Sequence, residues 1–291
     1  MRKLDLNNPF NAGIYHEDTV SSTMITARVL AKEGMPHGTV ICTDHQEAGR
    51  GRQGRSWQTK KAENLMFTIL LYYGDFISIP RALTLRAGLA VSLAIEDLVP
   101  ELSGMVKVKW PNDVIIATGK VQATGKVEAT GKVQATGKVE ATGKVQATGK
   151  VAGILAETDG GNVYLGIGIN VMQKEFPEEF RGKALGIAQV QPDLAENARF
   201  TLLELVLSRL YGEFEAPRLN PAASGGSCWR NTLQERLYKR GETVTFAEGD
   251  ANSSKITRGI LGGIGPQGEL IIKGENEGED RFFSAGELRV Y

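Results

Sequence analysis

The chain has 291 residues, of which 41% are hydrophobic and 23% are charged, and its formal net charge is zero. This length and composition allow one large domain and a small one, with enough apolar residues to bury a core. Zero net charge gives no reason to expect bulk affinity for nucleic acids or anionic membranes. No apolar run approaches the ~18 residues of a membrane span, and the N-terminus lacks the apolar core of a signal peptide. We therefore expect a cytoplasmic protein without membrane contact.

Cysteines and histidines offer little metal or disulfide chemistry. The two cysteines, Cys42 and Cys228, have apolar neighbours in the sequence that suit buried free thiols rather than a disulfide framework. The three histidines, His16, His37 and His45, have no Cys or His partner at the spacing of a zinc site. We expect no metal site built by the protein.

The N-terminal segment predicts a strand, a helix and a second strand. The first strand covers 15–20, and Ser21 or Ser22 then caps a helix that runs to Lys32. A strand over 39–44 leads into an unusual loop.

The middle of the chain continues this pattern. A mainly apolar run, 64–73, is typical of a buried central strand, and a long helix lies between Pro80 and Pro100. Four strands then follow as a meander: 105–110, 113–117, 151–157 and 162–170. Two more helices complete a larger domain over residues 1–240: 197–214 and 227–240.

Beyond Gly241 the pattern changes to short alternating strands separated by glycine-rich turns. Such a pattern is typical of a small all-β barrel, and we assign it residues 241–291. The predicted strands are 243–246, 256–261, 270–272 and 288–290.

The loop over 49–57 contains three glycines and three arginines in nine residues. Glycine allows a ligand to approach the main chain, and arginine offers a fixed fork of donors to carboxylate or phosphate. Gly49, Gly51 and Gly54 also match the dinucleotide fingerprint, but no amphipathic helix follows them, as that site requires. A solvated basic loop that touches RNA is the other alternative. An anionic substrate such as an acyl phosphate fits the loop best.

Residues 121–150 repeat a six-residue unit five times, alternating VQATGK and VEATGK. One valine per unit is too little apolar surface for a core, and five units are too few turns for a left-handed β-helix. The Gly-Lys pairs miss the P-loop spacing by one residue and are followed by valine rather than Ser or Thr. The flanking runs look like the two arms of a β-hairpin, so we interpret the repeat as an insertion at its tip.

Four segments in fixed order resemble the biotin protein ligases. They are the glycine–arginine loop, the segment KWPND at 109–113, the segment KVAGILAE at 150–157 and the segment GIGIN at 166–170. In that family a lysine follows the motif aspartate by seven residues, which Lys120 satisfies by its separation from Asp113. Lys150 instead matches the family lysine by the strand that follows it, 151–157. The sequence leaves both lysines open, and we favour Lys150.

The resemblance implies an α+β fold, with a mixed sheet and flanking helices in the ligase domain and a small SH3-like barrel at the C-terminus. It implies that biotin reacts with ATP, in the presence of Mg²⁺, to give biotinyl-5′-AMP and pyrophosphate. A lysine of a biotin carboxyl carrier protein, from acetyl-CoA carboxylase or a related carboxylase, then receives the biotin. Many relatives carry an N-terminal winged helix-turn-helix. Here the ligase segment begins within the first 15 residues, so we expect no DNA binding, and the protein to be a monomer or homodimer.

The resemblance also assigns roles to single residues. Arg50 and Arg52 order the loop over the adenylate, and Lys150 contacts the biotin carboxylate or the α-phosphate. The catalytic pair is thus Lys150 and Arg52. The remaining substrate-binding positions are Ser22, Thr23, Gln46, Gly51, Gly153, Leu155, Gly166 and Gly168. The nucleotide-binding positions are Arg55, Trp57, Asn112, Asp113 and Asn170.

Several alternatives remain open among these residues. Ser22 and Thr23 suit the biotin ureido ring, or they cap the helix that follows. The family often has Asn after this Ser-Thr pair, where this chain has Met24. Asp113 holds Mg²⁺ indirectly or orients loop groups, and Trp57 braces the loop or touches the ligand. For the whole chain, lipoate ligation and a non-catalytic biotin or adenylate binding module are the competing functions.

Overall fold

The computed structural model describes residues 1–118, 147–219, 229–249, 253–274 and 279–289. Lys120, Cys228 and most of the insertion predicted at 121–150 lie outside these ranges.

A mixed eight-stranded sheet forms the centre of the larger unit. Its strands are β1 (Arg2–Leu4), β2 (Ile14–Val20), β3 (Val40–Gln46), β4 (Leu65–Tyr72), β5 (Val106–Lys109), β6 (Asp113–Ala117), β7 (Thr148–Asp159) and β8 (Asn162–Ile169). Their order across the sheet is β1-β2-β3-β4-β8-β7-β6-β5. Strands β2 and β3 run parallel, and every other neighbouring pair is antiparallel. The mixed sheet predicted for the ligase domain is confirmed.

Helices cover both faces of this sheet. They are α1 (Thr23–Lys32), α2 (Leu83–Leu98), α3 (Ile187–Val190), α4 (Ala198–Phe214), α5 (Ala216–Leu219) and α6 (Trp229–Arg236). Because side chains alternate along a strand, β4 sends Phe67, Ile69 and Leu71 into the core shared with α2 and α4. Leu70 points to the opposite face, where it joins the apolar cluster of α1. No helix in the described part of the chain is long and apolar enough to cross a membrane.

Five antiparallel strands near the C-terminus form a second sheet. They are β9 (Thr243–Glu248), β10 (Ile256–Ile264), β11 (Leu270–Lys273), β12 (Arg281–Phe283) and β13 (Gly286–Arg289), in the order β12-β11-β10-β9-β13. This sheet agrees with the small barrel-like unit predicted beyond Gly241. Trp110 ties it to the larger unit, because its ring lies 5.7 Å from that of Phe246 and its indole N–H donates to the Gly268 carbonyl over 3.0 Å. The division of the chain at residue 240 stays a prediction.

The arms of the hairpin around the insertion are β6 and β7, and β7 begins at Thr148, three residues before the strand predicted at 151–157 and within the predicted insertion. Ala117 at the end of β6 pairs with Thr148 at the start of β7, and the Thr118 N–H donates to the Ala147 carbonyl over 2.9 Å. The same register pairs Ile115 with Lys150. Lys150 therefore has a position set by strand pairing.

The element boundaries differ from the sequence expectation where tertiary contacts intervene. Strands β1 and β12 were not predicted, because three residues are too few to show a period. Helix α2 begins at Leu83 rather than near Pro80, since Ala82 adopts a left-handed conformation with φ 53°. Helix α6 ends at Arg236, short of residue 240, because the Tyr238 N–H instead bonds to the Val108 carbonyl of β5.

Candidate active site

A cavity of about 500 Å³ opens where the glycine–arginine loop meets the ends of the central strands. All sixteen residues that the sequence nominated line it: Ser22, Thr23, Gln46, Arg50, Gly51, Arg52, Arg55, Trp57, Asn112, Asp113, Lys150, Gly153, Leu155, Gly166, Gly168 and Asn170. Four separate segments of the chain thus converge on one space, as their resemblance to a ligase site predicts. The chemical role of each residue stays a prediction.

The loop folds back on itself as a compact turn. The Gly51 N–H donates to the Arg55 carbonyl over 2.6 Å, and the Trp57 N–H donates to the Gly49 carbonyl over 2.9 Å. A Cβ at Gly49 would lie 2.6 Å from the Trp57 carbonyl oxygen, so this position has no room for a side chain. The glycines therefore allow the loop to close tightly, which presents its arginines toward the cavity.

Arg52 connects the loop to the segment after β5. Its Nη1 donates to Asn112 Oδ1 over 3.1 Å, and the Asn112 side-chain amide donates to the Ile154 carbonyl over 2.9 Å. Burial lowers the pKa of the Arg52 guanidinium, because the surroundings disfavour its charged form. A half-buried guanidinium held by a neutral amide keeps its charge available to an incoming anion.

Lys150 lies beside the one aspartate of the KWPND segment. Its Nζ is 2.7 Å from Asp113 Oδ1, and the two side chains are 32% and 19% exposed. The same Nζ lies 5.4 Å from the centroid of the Trp57 ring. Strand β7 carries Lys150 into the cavity, so the structure brings this lysine to the predicted place, whereas Lys120 lies outside the described residues.

Trp57 packs on the two glycines of neighbouring strands. A Cβ at Gly168 would lie 2.6 Å from the indole, and one at Gly153 would lie 3.1 Å from it. Met24 covers the third glycine in the same way, since its sulfur would lie 3.1 Å from a Cβ at Gly166. We expected these glycines to allow approach of the biotin tail. In this structure Trp57 and Met24 lie over these glycines, so Trp57 contacts the strands as a bracing residue would, and the roles of Trp57 and of the glycines toward a ligand stay predictions.

A polar group, made of Ser22, Thr23 and Gln46, lines the cavity where α1 begins. The Thr23 N–H and hydroxyl both donate to Gln46 Oε1, over 2.8 and 3.1 Å, and the Thr68 hydroxyl donates to Thr23 Oγ1 over 2.9 Å. Gln46 is thus a fixed group rather than a loose surface amide. Ser22 occupies the N-cap position of α1, but its side chain makes no capping hydrogen bond and is 2% exposed. The capping alternative therefore does not account for the Ser22 hydroxyl.

Asn170 holds the wall of the cavity next to Lys150. Its side-chain amide lies 3.4 Å from both the Lys150 and the Leu185 carbonyl oxygens, and its own N–H donates to the Val151 carbonyl over 2.8 Å. These bonds fix the main chain around Lys150.

Sequence reasoning missed several lining residues. Lys109 belongs to the KWPND segment, is 4% exposed, and has its pKa lowered mainly by burial; its place in that motif was an available signal. Phe176, Phe180 and Lys183 come from the segment after β8, which showed no periodic pattern. Glu287 comes from β13, so far along the chain that no local pattern could connect it with the loop.

Within the described ranges, one group of three side chains could hold a metal ion: His16, Asp18 and Asp44. It lies outside the cavity lining, and Arg199 Nη1 already sits 3.0 Å from Asp44 Oδ1. Asp44 is therefore already engaged in an ion pair with this guanidinium.

Comparison with known proteins agrees with this geometry. Residues 18–173 match the biotin/lipoate A/B protein ligase family. The chain belongs to this family. It is 32% identical to the bifunctional ligase/repressor BirA of Bacillus subtilis over 281 residues, which cover 94% of this chain and 72% of that protein. It is 31% identical to the biotin–[acetyl-CoA-carboxylase] ligase of Mycobacterium tuberculosis over 180 residues, covering 62% of this chain and 53% of that one.

Solved structures of the same family share the fold. The biotin protein ligase from Aquifex aeolicus in complex with biotin and ATP is 25% identical, with a TM-score of 0.69 over 95% of this chain and 97% of that one. A point mutant of the same Aquifex aeolicus ligase, in complex with biotin, is also 25% identical and has a TM-score of 0.68 over the same shares. The resemblance to biotin protein ligases found in the four sequence segments is confirmed, and the chain is an enzyme of this ligase family.

Proposed function

We propose that the chain is an ATP-dependent biotin ligase that makes biotinyl-5′-AMP and transfers biotin to a lysine of a biotin carboxyl carrier protein. One observation carries the proposal: Lys150 and Arg52 line the same cavity as the polar group of Ser22, Thr23 and Gln46. Cations suit a carboxylate and a phosphate, and the polar group suits a neutral ring with donors and acceptors.

In the first step a biotin carboxylate oxygen attacks the α-phosphorus of ATP. A new P–O bond forms, the bond to the bridging oxygen breaks, and pyrophosphate leaves. Both reactants are anions, so fixed positive charges must offset their repulsion and stabilise the transferring phosphoryl group. Lys150 and Arg52 supply those charges, and Asn112 holds Arg52 in place.

In the second step the amine of the carrier lysine attacks the carbonyl carbon of the mixed anhydride. An amide bond forms, the C–O bond to AMP breaks so that AMP leaves with the bridging oxygen, and the amine proton passes to solvent. Lys150 remains beside the departing AMP, where its charge stabilises the phosphate.

Mg²⁺ enters this proposal with ATP. The acidic side chains that line the cavity, among the residues described, are Asp113 and Glu287, which pair with Lys150 and Arg55. Mg²⁺ prefers six oxygen ligands and keeps several waters, and two engaged carboxylates do not provide such a set. We infer that the ATP phosphates would bring the ion, and that Asp113 would be the residue of this chain to hold it, through water rather than directly.

The polar group favours biotin over lipoate, the substrate of the other ligases in this superfamily. Lipoate has no ureido ring, so lipoate bound in this cavity would leave the buried Ser22 hydroxyl without a ligand partner. A site that hydrogen-bonds a substrate rejects an analogue lacking those groups strongly, because its own polar groups are then left unpaired.

The test is to incubate the protein with ATP, Mg²⁺ and either biotin or lipoate, and to detect the acyl-adenylate by mass spectrometry. Biotin should give biotinyl-AMP and biotin-dependent ATP–pyrophosphate exchange, and lipoate should give neither. Equal turnover of lipoate would overturn the assignment, and biotin binding without exchange would indicate a non-catalytic module. Addition of a carrier domain should then give one biotinylated lysine, and a carrier with that lysine replaced by arginine should stay unmodified.

A further inference from the structure

An ion pair joins the glycine–arginine loop to the C-terminal sheet. Arg55 Nη2 lies 2.5 Å from Glu287 Oε2, and Arg55 Nη1 lies 3.2 Å from Glu287 Oε1. Two parallel contacts of this kind fix the orientation of the guanidinium as well as its position. Arg55 is 53% exposed and Glu287 is 19% exposed, and both line the cavity.

Gln53 makes a second connection at the tip of the loop. Its Oε1 accepts from Arg55 Nη2 over 3.1 Å, and its Nε2 lies 3.4 Å from the Gly249 carbonyl, which follows β9. Glu287 is paired with Ala247 across the β13–β9 ladder. One connection therefore ends on β13 and the other just after its neighbour β9.

The C-terminal sheet is a firm support for these contacts. Its apolar side chains, such as Val244, Phe246 and Leu261, share one buried cluster with Leu89 of α2 and Trp110. Interiors packed in this way resist deformation. Glu287 is thus held in place by a packed core. Arg55, its partner, belongs to a loop with few buried residues.

We propose that Glu287 is a positioning residue: through Arg55 it anchors the glycine–arginine loop to the C-terminal sheet and keeps the loop closed over the cavity. The anchor acts on the loop that carries Arg50 and Arg52. It gives Arg55 a different task from the nucleotide contact expected from the sequence. The consequence for catalysis rests on the proposed biotin ligase function, whereas the anchoring itself does not.

Limited trypsin digestion tests the anchor without any substrate. Cleavage after Arg52 requires the loop to open, so its rate reports the population of the open loop. Glu287→Gln and Arg55→Gln should each increase that rate about fivefold, the factor expected for loss of a partly exposed ion pair. The double variant should cleave no faster than either single variant, because both changes remove the same contact.

Glu248→Gln is the matched control. It removes ion pairs with Lys255 and Arg281 that lie within the C-terminal unit and do not reach the loop. It should leave cleavage after Arg52 unchanged. An unchanged rate in Glu287→Gln would overturn the proposal, and so would a double variant whose increase is the product of the two single ones.

Retention of the adenylate tests the consequence. Glu287→Gln and Arg55→Gln should release preformed biotinyl-AMP about fivefold faster than the parent, with a similar KM for ATP in both variants. If Arg55→Gln raises the KM for ATP and Glu287→Gln does not, Arg55 contacts the nucleotide directly and the positioning role is wrong. Failure of the unmodified protein to form biotinyl-AMP would overturn the proposed function alone, since the digestion result does not depend on it.

Discussion

Lys150→Ala should lower the Tm only slightly and the rate of biotinyl-AMP formation strongly, and this difference separates a catalytic role of Lys150 from a structural one. The change removes the pair with Asp113, whose Nζ–Oδ1 distance is 2.7 Å and whose side chains are both partly solvated. A pair in that setting contributes about 1 kcal/mol to folding, so the Tm should fall by about 2 °C. Loss of one fixed charge at a transferring phosphoryl group costs about 3–4 kcal/mol, and biotinyl-AMP formation should slow by about 10²–10³-fold.

The assay is the initial rate of ATP–pyrophosphate exchange with biotin, measured beside a thermal unfolding curve. Lys60→Ala is the matched control, because it breaks a lysine–carboxylate pair of 2.9 Å, with Glu175, and Lys60 is not among the residues that line the cavity. It should leave exchange unchanged. Lys120→Ala should also leave exchange nearly intact. A near-parental rate for Lys150→Ala, together with loss of exchange in Lys120→Ala, would show that Lys120 is the catalytic lysine.

Three other perturbations address the loop, the insertion and a buried thiol. Arg52→Gly removes the contact with Asn112 and a charge over the cavity. Bound biotinyl-AMP should therefore escape roughly 10- to 100-fold faster and label lysines of a bystander protein. No increase in bystander labelling would mean that Arg52 does not retain the adenylate. Deletion of 121–150 places Lys120 opposite Ile115, where Lys150 now lies. The shortened enzyme should stay active, with exchange within about threefold of the parent, because a change in loop length costs ~0.6 kcal/mol per doubling. A folded but inactive deletion variant would refute the interpretation of the repeat as a passive insertion. Burial raises the pKa of Cys42 from 9.0 to about 12. In a Cys228→Ser background, the Cys42 thiol of the folded protein should therefore resist alkylation at about pH 8 and react once the chain is unfolded. Rapid alkylation of the folded protein would place Cys42 outside the core. Since the folded state keeps this proton longer than the unfolded state, Cys42 should lower stability only as the pH rises from about 9 toward 12, an effect absent in Cys42→Ala.

The sequence was most informative where a pattern is local. The apolar run of β4 predicted a central strand because burial on both faces leaves few polar positions, and seven of its eight residues are buried. The alternating pattern beyond Gly241 predicted the second sheet for the same kind of reason. Helix boundaries were less predictable, since Tyr238 leaves a helical path to bond with Val108, a partner that only the folded chain supplies.

For the candidate site, the sequence nominated residues by type and order, and the structure brought all of them to one cavity. The sequence could not specify which side chains these residues contact. That Lys150 meets Asp113 follows from the pairing of β6 with β7, a register that short-range patterns on either side of a long repeat do not define.

Contacts between distant segments are decided by the closure of the whole fold. Arg55 meets Glu287 across 232 positions of the chain, and Trp57 rests on Gly168 because β8 and the loop arrive at the same place. Hydrophobic periodicity and motif spacing encode the local conformation and burial of each segment, and so the sequence alone determined the longer elements, their order and the family resemblance. Which side chains touch depends on how those elements pack against one another, and only the tertiary structure decided that the C-terminal sheet reaches into the ligase cavity through Glu287.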